Sequence, residues 1–422
     1  MATRKTVLGW ELDSVEMTLR LTTRRLERLQ EILDALPQSR KQVSLKEWHK
    51  ILGELRSMAI ALPGARGLFG ALQFRFKADV TRIRLTHQVH DFLDDFRWLT
   101  RHLEHRPAWI YELVPTNPSV IGATDASGLG MGGVFFVPSP ESTAEVPIWE
   151  SFLWREAFPD RIRQDLITED NPQGTITNSD LELAATIGHH DVVAHTVHVA
   201  EATIATGHDN YPTVFWNRKG STTSTGPATY LLRLHALHQR HYRYIGQHDF
   251  IPGHLNRMAD EASRRTSWSD TEILTYFNTH FPQSKPWQIC PLRSELRSSL
   301  ISALYKIRSE PELWTTEPAP PTITSDAGWN SVTPTPWILG SPKGTILYRT
   351  SKFSLQGTAM DAAHPIANPF DLKQLLTPCD VWARRTPAWG PKTSDSMPTA
   401  RSTTESADNW QDSLGMTIPL TE

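Results

Sequence analysis

Asp125 is the first of four acidic residues whose positions in the chain could support metal chemistry. It ends the apolar stretch that begins at Val120, and the glycine-rich run from Gly128 to Gly133 follows it. A carboxylate presented where one strand turns into another suggests a metal ligand, because carboxylate oxygens are preferred by hard cations. An ordinary Asp in a tight turn is the alternative for this segment taken alone.

The glycines after Asp125 also invite comparison with a phosphate-binding loop, since backbone N–H groups of such loops can cradle phosphates. The dinucleotide-binding motif and the P-loop both need a helix after the glycines. Here the apolar run from Met131 to Val137 leads to Pro138 instead. The pattern therefore predicts a β-hairpin and not a nucleotide loop.

The other three acids each have an ordinary structural explanation. Glu182 follows Ser179 at the spacing of a capping box at a helix start. Asp209 follows a short apolar run, where Asx turns are common. Asp260 lies just inside a helix that begins after a Pro-Gly turn, where the helix dipole stabilises an acid. Together, however, the four acids alternate between strand ends and helix starts, which capping and turns do not require.

The segment 118–265 resembles the ribonuclease H domain of retroelement reverse transcriptases. No single motif is specific, whereas the ordered set is. The motifs that carry the resemblance are Thr124-Asp125-Ala-Ser, Thr177-Asn178 leading to Glu182-Leu183-x-Ala185, Asp209-Asn210, and Pro252-Gly253-His254-x-Asn256-x-x-Ala259-Asp260. The resemblance implies an α/β fold with a mixed five-stranded sheet flanked by helices.

The same resemblance implies that Asp125, Glu182, Asp209 and Asp260 are catalytic ligands of Mg²⁺, or of Mn²⁺ in its place. Two such ions can stabilise both the attacking and the leaving oxygen when a phosphodiester is hydrolysed. Four clustered carboxylates repel one another without metal. We therefore expect a raised pKa for at least one of them in the metal-free protein.

Three further residues acquire roles through the resemblance. His254 is implied to help move protons, while Asn178 and Asn210 are implied to contact an RNA–DNA hybrid, Asn178 through the 2′-hydroxyl of RNA. Only the residues from Leu255 to Ala259 separate His254 from the last acid, a shorter spacing than in cellular and retroviral relatives. The alternative for His254 is a plain loop residue. Asn178 could instead be a helix cap, and Asn210 could instead be part of a turn.

The first 110 residues carry the patterns of a hairpin followed by helices. Val7 to Leu21 is typical of a short hairpin, and Leu26 to Leu36 has helical spacing. Ser44 and Glu47 form a capping box that opens another helix. Val89 to Leu103 predicts one more helix, on which Asp94-Asp95 are interpreted as surface acids.

This N-terminal run resembles the end of the palm and the thumb and connection regions of retrotransposon reverse transcriptases, particularly of elements with a tyrosine recombinase. It divides into a palm-exit hairpin and helix over 1–37 and a helical thumb/connection-like region over 38–110. The paired aspartates of a polymerase palm lie in a hairpin, unlike Asp94-Asp95. We expect no polymerase activity from this chain alone, and a separate polymerase subunit is a further expected partner.

A basic stretch between positions 66 and 84 is the predicted nucleic-acid-binding surface of this region. Its cations can replace counterions on a phosphate backbone. A solvated basic helix face is the alternative. The residues are Arg66, Arg75, Lys77, Arg82 and Arg84, with Asp79 as the only acid among them.

Composition bounds the remaining possibilities. The net charge of -3 means that any nucleic-acid-binding surface is local. The chain has two cysteines, Cys290 and Cys379, which excludes a disulfide scaffold and suits an intracellular location, without separating cytoplasm from nucleus. The sequence has no long apolar run, so we expect no membrane partner.

Histidines recur at spacings of three to five residues in two groups. Helical i, i+3 pairs of histidine can bind zinc. Neither group brings the glutamate base of a zinc protease, so structural or surface roles are favoured over a metal site. The groups are His189, His190, His195 and His198, then His235, His238 and His241.

Beyond position 265 the pattern changes. Residues 266–308 predict a helical connector, and residues 309–422 are rich in Pro, Ser and Thr and predict a largely disordered tail. The whole sequence therefore predicts a retrotransposon-derived fragment that cuts the RNA strand of RNA–DNA hybrids. A non-catalytic relic that only binds nucleic acid is the alternative, and an integrase-like nuclease acting on DNA is a third reading.

Overall fold

The computed structural model describes residues 3–59, 65–70, 72, 81–103, 106–142, 148–222 and 226–309. The predicted disordered tail lies outside the described residues, apart from Ser309.

In the N-terminal part, the described residues form short strands and four helices. Strands β2 and β3 pair antiparallel as the predicted hairpin, β1 and β6 extend this sheet on either side, and β4 pairs with β5. Ser44 Oγ accepts a hydrogen bond from the Glu47 N–H at 3.1 Å, as the predicted helix start requires. The elements are β1 (Arg4–Val7), β2 (Trp10–Asp13), β3 (Thr18–Leu21), α1 (Thr23–Asp34), β4 (Gln42–Ser44), α2 (Leu45–Met58), α3 (Ala65–Gly70), β5 (Arg82–Arg84), α4 (His87–Leu103) and β6 (Ala108–Trp109).

The second part is built on a mixed sheet in the order β11-β10-β7-β8-β9-β12. Its elements are β7 (Val120–Ala126), β8 (Gly130–Pro138), β9 (Trp149–Ala157), α5 (Asp160–Gln164), α6 (Asn178–Thr196), β10 (Thr203–His208), α7 (Tyr211–Lys219), α8 (Pro227–Tyr242), β11 (Ile245–Phe250), α9 (Arg257–Arg264), α10 (Asp270–His280), β12 (Gln288–Ile289) and α11 (Ser294–Leu304). The strands β7, β8 and β9 are antiparallel neighbours, while β10 and β11 run parallel to β7.

The predicted hairpin after Asp125 is confirmed, because β7 and β8 pair antiparallel with Thr124 opposite Gly133. The sheet has six strands, one more than predicted. Five strands come from the predicted segment, and the short β12 pairs parallel with β9 from outside it. The mixed sheet and its helices are consistent with a ribonuclease H-like α/β fold.

Helices cover both faces of this sheet, which is why its central strands carry long apolar runs. Successive residues of a strand point to opposite faces. On β8, Phe135 and Val137 join a hydrophobic cluster with residues of α6, α8 and α11, while Val134 and Phe136 join a separate cluster with residues of α9 and α10. None of the helices within the described residues is long and apolar enough to cross a membrane.

The interpretation of Asp95 as a surface acid is wrong. Its side chain is fully buried, and its two carboxylate oxygens accept hydrogen bonds from the Arg233 guanidinium, each at 2.7 Å. Arg308 donates to the same carboxylate at 2.9 Å. Helix α4 is packed against α8 at this point, so the charge of Asp95 is neutralised by cations from outside its own helix. Asp94 is partly exposed and pairs with Arg97.

Candidate metal-binding carboxylate site

Three of the four predicted acids meet at one edge of the mixed sheet. Asp125 lies in β7, Asp209 directly follows β10, and Glu182 lies on α6. One carboxylate oxygen from each of these acids lies within 4.8 Å of the other two. Strands β7 and β10 are parallel neighbours, so their carboxyl ends emerge at the same edge.

The fourth acid, Asp260, lies on α9 and lines the same pocket, which has a volume of about 400 Å³. Asn178 and Asn210 also line it, as does Arg264. The structure therefore brings together all four predicted acids and both predicted asparagines. They come from two strand ends, those of β7 and β10, and from two helices, α6 and α9, that are far apart in the sequence.

Asp125 is held in a fixed position at the base of this pocket. Only 4% of its surface is exposed, and Ser263 Oγ donates a hydrogen bond to its Oδ2 at 2.5 Å. The pKa of Asp125 is raised to about 6, chiefly by burial and also by the charges of Asp209 and Asp260. The hydrogen bond from Ser263 opposes this shift, because it stabilises the ionised form.

Glu182 is not part of a capping box, contrary to the structural explanation of the Ser179 spacing. The box is formed two residues earlier, by the Thr177 side chain and Asp180, so Glu182 lies one turn into α6. Burial raises the pKa of Glu182 well above its usual value, and the charges of Asp125 and Asp209 act in the same direction. Its Oε2 is buried and has no hydrogen-bond partner among the described residues.

Asp209 and Asp260 complete the carboxylate set with more exposure to solvent. The pKa of Asp209 is raised, chiefly by burial and also by the charge of Asp260. Asp260 Oδ1 accepts a hydrogen bond from Arg264 Nε at 2.6 Å. The pKa values of three acids are thus raised, chiefly by burial, and the charges of neighbouring acids raise them further. The raised pKa expected for at least one acid is found, and mutual repulsion is its smaller cause.

Helix α9 approaches the sheet closely because β8 has a glycine at the crossing. A Cβ on Gly132 would lie 2.8 Å from the carbonyl carbon of Ala262 and 2.8 Å from the nitrogen of Ser263. A side chain there would therefore push α9 away from the sheet. Gly132 thus serves the close approach that brings Asp260 and Ser263 to the site, and this explains part of the glycine-rich run.

Two residues that support the acids were not assigned by the sequence analysis. Ser263 anchors Asp125, and the buried Asn256 donates through Nδ2 to the backbone carbonyl of Thr124 at 3.0 Å. The available signal for Ser263 was its spacing of three residues from Asp260, which puts both side chains on one face of a helix. The contact of Asn256 joins segments far apart in the sequence, so local spacing could not show it.

The asparagines and His254 lie in different local settings. Asn178 is the first residue of α6, and Asn210 caps α7 by accepting hydrogen bonds at Oδ1 from the Thr213 N–H and hydroxyl, each at 3.1 Å. His254 is exposed on a short 3₁₀ turn and is not among the residues that line the pocket. The preceding residue, Gly253, lies beside Asp209.

The predicted basic surface is described only in part. Arg82 and Arg84 are exposed on β5. Arg66 lies in α3, its side chain being outside the described part of the structure, and Arg75 and Lys77 lie outside the described residues.

The residues of the pocket fit a hard divalent cation. Its donor set consists of carboxylate oxygens, which such cations prefer. The buried Glu182 Oε2 lacks a partner within the described part of the chain, and a buried acceptor without a partner is unfavourable. A cation bound there would supply that partner and relieve the repulsion among the acids.

No known family and no curated protein matches this sequence. Solved structures of reverse transcriptases are similar to this chain at low scores. The foamy viral protease-reverse transcriptase dRH in complex with double-stranded DNA is 12% identical, with a TM-score of 0.24, over 59% of this chain and 38% of that chain. The foamy viral protease-reverse transcriptase with double-stranded DNA is 16% identical, with a TM-score of 0.22, over 50% and 37%.

The same viral enzyme in complex with an RNA/DNA hybrid is 12% identical, with a TM-score of 0.22, over 58% of this chain and 29% of that chain. The chain therefore spans less than two fifths of the length of these relatives. At such TM-scores the likeness carries no weight in assigning the site, so the assignment depends on the residues themselves.

Proposed function

We propose that this chain carries a retrotransposon-derived ribonuclease H-like domain that hydrolyses the RNA strand of RNA–DNA hybrids. The observation that carries the proposal is the convergence of Asp125, Glu182 and Asp209, whose carboxylate oxygens lie within 4.8 Å of one another in an open pocket. Asp260 lines the same pocket. Clustered acids with raised pKa values are an unfavourable arrangement that a functional cation would explain.

Asp125, Glu182, Asp209 and Asp260 would hold Mg²⁺, with Mn²⁺ as its substitute. When bound, such ions stabilise the negative charge that develops on the attacking and leaving oxygens of a phosphodiester. The four residues supply up to four negative charges, which a site for divalent cations needs.

The supporting residues keep these carboxylates in place before any ligand arrives. Ser263 orients Asp125, and the backbone N–H of Ala126 donates to Glu182. Both contacts hold a carboxylate against the end of β7. Fixed acids lose little entropy on binding a cation, and partners of this kind commonly change metal affinity or activity by about 10-fold to 100-fold.

The asparagines offer polar contacts to the substrate at the rim of the pocket. Asn210 uses its Oδ1 to cap α7, which leaves its side-chain NH₂ group as a donor toward a ligand. Asn178 lies at the start of α6, beside the acids. A donor or acceptor at this point can distinguish RNA from DNA through the 2′-hydroxyl.

His254 is the proposed proton carrier, since it is exposed on the turn next to Gly253, which lies beside Asp209. His254 lies on this turn and does not line the pocket. It would therefore exchange protons with solvent and product, without contacting the acids.

The first prediction tests this activity on the full chain with a labelled RNA–DNA hybrid and Mg²⁺. We expect cleavage of the RNA strand, and little cleavage of single-stranded RNA or duplex DNA. Asp125→Asn should slow cleavage by at least about 10²-fold, the order seen when one transition-state-stabilising group is removed. The matched control is Glu261→Gln, which changes a neighbouring acid of α9 that pairs with Arg265 and does not line the pocket.

Each outcome distinguishes the alternatives. Folded protein that binds the hybrid without cutting it would support a non-catalytic relic. Preferential cutting of duplex DNA would support an integrase-like nuclease instead. Equal cleavage by the wild type and Asp125→Asn would reject the assigned site.

A further inference from the structure

A second cluster of ionisable side chains lies inside the protein, away from the carboxylates' pocket lining. It contains histidines from α6, α8, β10 and β11, all of them buried. We call it the histidine cluster: His189, His190, His208, His235, His238 and His248. Six imidazoles in one protein interior are unusual, because histidine is more often partly exposed.

Three members of the cluster converge from three different elements. His190 lies on α6, His235 on α8 and His248 on β11, and one ring nitrogen from each lies within 4.8 Å of the other two. His190 Nδ1 and His235 Nε2 lie 3.0 Å apart. Ligand nitrogens around a tetrahedral Zn²⁺ lie about 3.3 Å apart, given Zn–N bonds of about 2.0–2.1 Å. The three rings therefore need only small movements to share one ion.

The outer nitrogens of two of these rings are already anchored. His190 Nε2 lies 3.2 Å from Thr206 Oγ1, and His248 Nδ1 lies 3.0 Å from His208 Nε2. His208 continues the chain through its Nδ1, 3.2 Å from Thr124 Oγ1. A metal-binding histidine usually has its second nitrogen held in this way, which fixes the ring and the position of its proton.

Gly246 allows the His248 ring to pack directly against the backbone of β11. A Cβ on Gly246 would lie 2.5 Å from His248 Nε2 and 3.3 Å from His190 Cε1. A side chain at this position would therefore displace the His248 ring from its place beside His190.

An oxygen is available beside the triad for a fourth ligand position. The Tyr244 hydroxyl lies 3.2 Å from His190 Nδ1 and 3.0 Å from His238 Nδ1. His238 Nε2 lies 3.1 Å from the Asp191 carboxylate, which can only accept, so the single proton of a neutral His238 ring is on Nε2. The Tyr244 hydroxyl then donates to His238 Nδ1, and its lone pairs remain for a ligand beside His190.

We propose that His190, His235 and His248 form a buried site for one divalent transition-metal ion of the zinc class. Imidazole nitrogen suits zinc, whereas Mg²⁺ prefers oxygen ligands. The site is distinct from the carboxylate pocket in its residues and in its donor atoms. It joins α6, α8 and β11, so the bound ion stabilises the fold beneath the carboxylate edge. The proposal does not depend on the proposed nuclease function.

The test measures metal in the full chain without an affinity tag, since a histidine tag would itself bind zinc. The protein is stripped with a chelator, refolded with or without Zn²⁺ alone, and desalted before elemental analysis. We expect about one zinc per chain, as for a closed structural site, and a higher melting temperature with zinc. Co²⁺ in place of zinc should show visible absorption of a nitrogen-ligated ion.

Variants locate the ion. His235→Gln and His248→Gln should each bind at least about 10-fold less zinc, whereas the exposed His198→Gln should bind as much as the wild type. Asp125→Asn should also retain the zinc, since it changes only the carboxylate pocket. Gly246→Ala should weaken binding without removing any ligand.

Three results would overturn the proposal. Folded wild type that takes up no zinc and melts at the same temperature with and without it has no such site, and this readout needs no variant. Zinc retained by both histidine variants places the ion elsewhere. Zinc lost from Asp125→Asn but kept by His235→Gln assigns it to the carboxylates.

Discussion

At the scale of single residues, the acids that suit the carboxylate site to cation binding also lower the stability of the metal-free protein. Asp125, Glu182 and Asp209 are held close together, and the pKa of each is raised, chiefly by burial. A raised pKa of an acid means that its ionised form is less favourable in the folded protein than in the unfolded chain. The site therefore lowers the stability of the metal-free protein at neutral pH.

The second prediction follows from the Asp125 pKa of about 6, against 3.8 for the unperturbed group. Asp125→Asn should raise the free energy of unfolding at pH 7.5 by about 2–3 kcal/mol, since one pKa unit corresponds to about 1.4 kcal/mol. The asparagine Oδ1 still accepts the hydrogen bond of Ser263. The gain should shrink as the pH falls through 6 and vanish below 3.8, where both states carry the protonated acid.

Urea denaturation in EDTA at pH 7.5 and pH 4 measures this difference. An equal or lower stability of Asp125→Asn at pH 7.5 would contradict the assignment of strain to this carboxylate. Adding Mg²⁺ should stabilise the wild type more than the variant, because the wild type retains the full set of ligands.

Local spacing predicted the positions of the acids but not all of their contacts. Asp125 and Asp209 are at strand ends because apolar runs stop beside them, and such runs are visible in the sequence. The capping box of α6 starts at Thr177 and not at Ser179, since both residues offer a hydroxyl and only the path of the preceding chain selects one. Asp95 is buried, unlike Asp94, and its partner Arg233 is 138 residues away, so local spacing could not distinguish the two acids.

At the scale of elements, the Asp95–Arg233 pair joins α4 to α8. Both side chains are buried, at 0% and 1% exposure. Removing one partner of a buried ion pair leaves the other charge without compensation, which is far less favourable than losing a surface pair. This contact therefore connects the N-terminal helices to the part of the chain that carries the carboxylates.

The third prediction compares adjacent acids on one helix. Asp95→Asn should lower the free energy of unfolding by about 3–5 kcal/mol, because Arg233 remains buried. Asp94→Asn removes a partly exposed pair with Arg97 and should cost about 1 kcal/mol or less. Urea denaturation of both variants gives the comparison. Similar small losses for both would show that Arg233 is not held by Asp95 in solution.

The sequence predicted the central hairpin of the mixed sheet but not its sixth strand, β12. Long apolar runs and turn residues predicted the hairpin of β7 and β8. The two-residue β12 is too short to carry a period, and its pairing with β9 depends on the position of α10 and α11 around it. The role of Gly132 likewise depends on tertiary packing. A side chain is excluded there because α9 crosses β8 at this residue.

At the scale of the whole molecule, two sets of buried ionisable groups respond to acid in opposite directions. The pKa values of the cluster histidines are lowered, chiefly by burial, and those of His189 and His208 fall to about 3. A histidine with a lowered pKa stays neutral in the folded protein while the unfolded chain takes up a proton below about 6.5. Its contribution to stability is present above 6.5 and is lost as the pH falls. The carboxylates gain stability over part of the same range.

The sizes of the two free-energy changes decide whether the histidines or the carboxylates dominate at pH 5. His189 and His208 each lower the free energy of unfolding by about 2 kcal/mol at pH 5. This pH is about 1.5 units below the ordinary histidine pKa of about 6.5, and each unit corresponds to about 1.4 kcal/mol. Asp125, whose pKa is about 6, recovers about 1.4 kcal/mol between pH 7 and pH 5 by the same conversion. The pKa values of His190, His235, His238 and His248 are also lowered, so they add to the loss. The pKa values of Glu182 and Asp209 are also raised, so these two acids add to the recovery. Six histidines lose stability against three acids that regain it, so we expect the histidines to dominate.

The fourth prediction is that the metal-free protein loses stability steadily from pH 6.5 to pH 5, by several kcal/mol. Typical domains have only about 5–15 kcal/mol in total, so acid unfolding should begin well above the ordinary pKa of carboxylates. Denaturation in EDTA at pH 7.5, 6 and 5 measures the slope. His208→Gln should flatten it by about 2 kcal/mol between pH 7.5 and pH 5, even though the variant is less stable at pH 7.5. The exposed His198→Gln should leave the slope unchanged. A stability that rises toward pH 5 would mean that repulsion among the carboxylates outweighs the burial of the histidines.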